Sequence, residues 1–97
     1  MTATWTETVT VTTGHITSGW ANDCRKCPIA LALHEMHPEL DGQLDVIDDR
    51  AIAAYGAEDT YLEGLLPETA QEFISQFDEG MRAEPITFQI TWRELPA

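Results

Sequence analysis

A chain of 97 residues has room for one hydrophobic core and no second independent domain. Apolar residues make up 43% of it and include three Trp, too rich a set for a disordered chain. Five Lys and Arg face 17 Asp and Glu, and a net charge of −12 excludes direct nucleic-acid binding through phosphate contacts.

The opening MTATWTETVTVTT has neither a basic n-region nor a continuous apolar h-region, so a cytoplasmic location is expected. From Trp5 to Thr12 the chain alternates, with Trp5, Val9 and Val11 on one side and Thr6, Thr8, Thr10 and Thr12 on the other. Period two with β-branched residues predicts a half-buried strand. The segment T-G-H-I-T-S-G-W-A-N-D, residues 13–23, reads as loop with a single helical turn around His15 and Ile16.

Pro28 suits the first position of a helix, because its missing N–H has no partner there in any case, and this makes Cys27 the N-cap. The helix is expected over about 28–37, ending where Pro38 disfavours helical geometry in the residue before it. Its first turns, P-I-A-L-A-L, are apolar all round and predict burial. This is also the longest apolar run, far too short to span a bilayer, so no membrane partner is expected.

Residues 41–65 are the least legible stretch. Asp41-Gly42 can turn the chain, Leu44 to Ile47 and Tyr61 to Leu65 read as short strands, and Ala51 to Tyr55 is ambiguous. A second helix is predicted over about 67–79. Pro67 fits its first position, Ala70, Phe73, Ile74, Phe77 and Met81 form one stripe, and Gly80 supplies the stop. Ile86, Phe88, Ile90 and Trp92 then alternate with Thr87, Gln89 and Thr91, which predicts a strand beside the N-terminal one. The expected fold is a single α+β domain over 1–97: a small antiparallel or mixed sheet, its N- and C-terminal strands adjacent, packed on two helices.

The cluster with a chemical reading is Cys24-Arg25-Lys26-Cys27 at a helix N-terminus. Neighbouring cations and a helix start both lower a thiol pKa, so a thiol-redox site is one alternative. Against it, Gly, Asn and Asp precede the pair where a redox site of the thioredoxin type follows a buried strand. The simpler expectation is reduced thiols, with Cys27 buried at the helix entry. Zinc is the second alternative. Cys24, Cys27, His34 and His37 cannot share one ion, because Cys27 and His34 would lie roughly 10 Å apart along one helix. A zinc site would need His15, or an acidic loop residue, to join Cys24 and Cys27, with His34 and His37 as a solvated or hydrogen-bonded helix end. No cofactor is otherwise expected, and no nucleophile elbow, P-loop or EF-hand series supports an enzyme.

The acidity is local: twelve carboxylates fall between Glu39 and Glu79, against Arg50 alone. Asp41, Asp45, Asp48, Asp49, Glu58, Asp59 and Glu63 are the candidate binding residues, forming a negative surface for a basic partner. The bland reading of the same charge is solubility.

Two stretches, T-x-G-H-I followed by C-P-I-A-L-A-L, and L-P-E-T-A-Q-E-F-I-S-Q-F-D-E-G ahead of P-I-T-F, resemble a group of small acidic proteins of actinobacteriophages and their hosts. That group has no assigned activity, so the resemblance carries over no catalytic residue. It implies a phage accessory protein that acts by binding something in the host cell. With the acidic 39–79 region, the expectation is a non-enzymatic protein that engages a host protein with a basic surface, nucleic-acid mimicry being one mode; a separate alternative is oligomer formation through the Thr face or a sheet edge.

Overall fold

The computed structural model describes residues 4–23, 25–38, 44–47, 49–55 and 60–96. Among the described residues five strands and three helices follow in the order β1 (Thr4–Val11), α1 (Thr13–Ser18), α2 (Pro28–Met36), β2 (Leu44–Ile47), β3 (Arg50–Tyr55), β4 (Thr60–Leu65), α3 (Glu68–Asp78) and β5 (Ile86–Pro96). The strands form one sheet in the order β1-β5-β4-β3-β2, and each neighbouring pair is antiparallel. The expected α+β class and the adjacency of first and last strands hold.

Each helix starts where local chemistry says it should. Cys27 is the N-cap of α2, its Sγ accepting the Ala30 N–H at 3.4 Å, with Pro28 in the first turn. Pro67 stands one place earlier than predicted, as the N-cap of α3, and Glu68 opens the helix, where a carboxylate meets the positive end of the dipole. Gly80 adopts φ +80° just past the end of α3, the left-handed conformation that closes helices and that Gly reaches without strain. The turn expected near His15 is a helix of its own, α1. Thr12 Oγ1 accepts the His15 N–H at 3.3 Å, and His15 Nδ1 accepts the Thr12 N–H at 3.0 Å. That is a capping box with histidine in the place usually held by Glu or Gln.

Register decides what each face of the sheet carries. Val9, Phe88, Ile90, Trp92, Leu62, Ala51, Ala53, Leu44 and Val46 point to one side and are buried there against Ile29, Ala30 and Leu33 of α2 and Ala70 and Phe73 of α3. Gly64 lies in this layer, opposite Ala51 and Trp92. A methyl group on it would come within 2.5 Å of Ile90 Cδ1 and 2.9 Å of the Trp92 ring, so the glycine is what lets those two side chains lie flat on β4. The ambiguous 51–55 segment is a strand because β2 and β4 pair with it on both sides.

The opposite face holds the other phase of each strand. Along β1 and β5 it is Thr4, Thr6, Thr8, Thr10, Thr87, Gln89 and Thr91, the shared polar surface that the alternation predicts. Along β2, β3 and β4 it is Asp45, Ile47, Arg50, Ile52, Tyr61, Glu63 and Leu65. Among the described residues no helix is long and apolar enough to cross a membrane.

Candidate functional site

Cys27 is buried at the entry of α2, and its thiol is occupied as a hydrogen-bond acceptor. Burial pushes it above its ordinary pKa, and Asp78 and Asp23 push the same way, outweighing the amides of Ala30 and Ile29. Cys27 thus sits as the simpler expectation had it, buried at the helix entry, and does not have the lowered pKa of the redox alternative. The two cations meant to lower it are turned elsewhere: Arg25 Nε donates to Asp45 Oδ1 at 2.7 Å, and Lys26 Nζ sits 4.8 Å from the centroid of the Trp20 ring. Cys24 lies outside the described residues. Cys27 also lines a cleft of ≈ 230 Å³ with Asn22, Asp23, Ile74 and Asp78, but Asn22 and Asp78 are committed to each other, the Asn22 N–H donating to Asp78 Oδ1 at 2.8 Å.

His15 is likewise committed. Because Nδ1 accepts from Thr12, the ring proton is on Nε2, which donates to Glu35 Oε2 at 3.1 Å. Among the described residues no three His, Cys, Asp or Glu side chains are grouped so as to hold a metal ion. The histidines of α2 are a hydrogen-bonded helix end: His34 Nε2 donates to the Leu44 carbonyl at 3.3 Å, and His37 Nε2 donates to Glu7 Oε1 at 2.7 Å.

Of the seven acidic residues singled out in the sequence, three are among the described residues, and all three meet arginines. Asp45 pairs with Arg25, and Asp49 with Arg50 Nε at 3.0 Å; that hydrogen bond holds the Asp49 carboxyl below its ordinary pKa. Glu63 is the clear departure. It is only 3% exposed, with Oε2 accepting from Arg50 Nη1 at 2.7 Å and Oε1 from Arg93 Nε at 2.7 Å. It is an internal counter-ion and not a free charge for a basic partner, because the β4–β5 and β3–β4 registers place it between two arginines. Asp41, Asp48, Glu58 and Asp59 lie outside the described residues.

Exposed carboxylates that make no ion pair among the described residues lie instead on and after α3: Glu68, Glu72, Glu79 and Glu84. The same stripe that buries Ala70 and Phe73 turns Glu68 and Glu72 outward.

Two clusters escaped the sequence reading. Glu7 Oε1 accepts both the Trp92 Nε1–H at 2.6 Å and the His37 proton, and the His37 and Trp92 rings meet edge to face with centroids 6.1 Å apart. The available signal was Glu7 itself, a carboxylate in the inward phase of β1 between Trp5 and Val9, which requires a donor below the sheet. The Arg50–Glu63–Arg93 group left a fainter one, since opposite charges in one outward phase matter only once register is known. Comparison with protein-family models, with curated proteins and with solved structures gives no match.

Proposed function

We propose that this chain is a non-enzymatic binding protein whose acidic helical side, centred on α3, engages a basic protein surface. The observation that supports the reading is the division of charge: Arg25, Arg50 and Arg93 are spent on Asp45, Asp49 and Glu63, whereas Glu68, Glu72, Glu79 and Glu84 face outward and make no ion pair among the described residues, although Arg82 lines a cleft with Glu72 and Glu84. Among the described residues, the negative charge of the −12 chain is therefore least offset by ion pairs on this side. The natural partner class is a nucleic-acid-binding protein, whose basic site would accept carboxylates in place of phosphates. In this reading it works in the cytoplasm, that of a host cell if the phage resemblance reflects origin. An inner thiol tied up as a helix cap favours this over redox chemistry.

The test is capture from a lysate by the wild type and by the Glu68→Gln/Glu72→Gln/Glu79→Gln variant, each at low and high salt. A basic protein retained at low salt, released near physiological ionic strength and above, and held about 3- to 100-fold more weakly by the variant is expected, since exposed pairs are individually weak and screened. Capture that neither salt nor the variant changes would falsify the proposal.

A further inference from the structure

The uncovered face of the sheet is not uniform. On β1 and β5 it carries Thr and Gln, as a solvated antiparallel face does. On β3 to β4 the same face exposes Tyr61 (40%) and Leu65 (43%) around the Glu63 ion cluster, and at the edge of β2 it exposes Ile47 (46%), which also lines the Cys27 cleft. Apolar side chains in an outward phase, next to a half of the same face that is correctly polar, mark a surface built for contact.

The charges on this patch identify what fits it. Arg25, Arg50 and Arg93 balance Asp45, Asp49 and Glu63, so among the described residues it is neutral although the chain carries −12. Two copies can meet here without bringing net charge together, which the α3 side does not allow. The order of charges is also self-complementary. One row across the sheet runs Thr4, Arg93, Glu63, Ile52, Asp45. A two-fold axis along the strands, between β3 and β4, sets Arg93 of one copy opposite Asp45 of the other. In the next row it sets Leu65 over the aliphatic stem of Arg50 and Ile47 over Thr91.

We infer that this face is a homodimer interface, two sheets packed face to face with the helices outermost. The four strands that overlap under this axis, about 4.8 Å apart and with the observed lengths, project at most roughly 400 Å² per copy, about half of the roughly 800 Å² of a standard interface, so the dimer is reversible. Raising salt tightens it, because the repulsion between two like-charged chains is screened. That sign is opposite to the one expected for a basic partner on α3, so the two readings fail separately.

Sedimentation equilibrium of the whole chain tests the inference, with circular dichroism to confirm folding. A concentration-dependent dimer is expected. Leu65→Glu and Ile47→Glu should each lower its association constant at least about tenfold. Thr8→Glu, on β1 where the axis leaves the sheet overhanging its partner, should change it less than about twofold. Ile47 is on an edge strand, so its variant keeps the test informative if Leu65→Glu does not fold. A monomer up to about 1 mM, a dimer indifferent to Ile47→Glu, one abolished by Thr8→Glu, or one loosened by salt each overturns it.

Discussion

Glu63 shows how a carboxylate can sit on an uncovered sheet face and still be dry. Its two oxygens are claimed by different arginines, whose own side chains lie across it at 40% and 49% exposure. Replacing it by Gln removes the charge both guanidinium groups answer to, but they can turn outward and hydrate. Glu63→Gln should therefore cost about 1–3 kcal/mol in urea unfolding, less than breaking a fully buried pair. A change below about 0.5 kcal/mol would mean that the carboxylate is already hydrated. Cys27 makes a pH prediction with a definite sign. Its folded pKa is raised, so above about pH 8.5 the unfolded thiol ionises while the folded one keeps its proton. Stability is full below that pH and falls as pH rises toward the folded value. Thermal melts between pH 7 and 10 should show the decline, and Cys27→Ala should remove this part of it. Iodoacetamide should label Cys27 far more slowly in the native protein than in urea.

Among the elements, β4 depends on its glycine. Gly64→Ala forces Ile90 and the Trp92 ring to shift, with an expected cost of about 1–3 kcal/mol, and native-state hydrogen exchange should quicken first in β4 and β5. β1, β5 and α3 were legible in the sequence because each has one wet side, and alternation or a helical stripe records which. β3 was not, since R-A-I-A-A-Y suits a helix as well as a strand, and only its pairing on both sides makes it extended. Pro67 misled by one position for a related reason: the residue serves either as cap or as first helical residue, and the chain geometry before it decides. The candidate surface was legible only as charge. Which carboxylates are spent inside depends on contacts such as Glu63 to Arg93, 30 residues apart, and those follow from register alone.

At the scale of the whole molecule, the described residues make the helical side negative and leave the far side of the sheet balanced. Self-repulsion of the compact state should make the protein sensitive to ionic strength even when alone. Moving from about 10 mM to about 150 mM salt should raise Tm by several degrees, at protein concentrations low enough to exclude dimers. A flat Tm would mean that the exposed carboxylates are too far apart to feel one another. The two association events proposed above then divide the molecule, one on each side, and they respond to salt in opposite directions.

The Glu7 cluster has one further consequence, which concerns time. Glu7 is joined to Trp92, 85 residues later, and β1 has β5 as its strand partner. During synthesis the first strand emerges long before the last, and in that interval its inward row of Trp5, Glu7, Val9 and Val11 has no sheet to join. The helices and the β2–β3–β4 meander can assemble around α2, but β1 must wait for β5 to leave the ribosome. Loop closure over that distance makes its docking a late, slow step, and a nascent chain stalled before residue 86 should remain open to protease at β1.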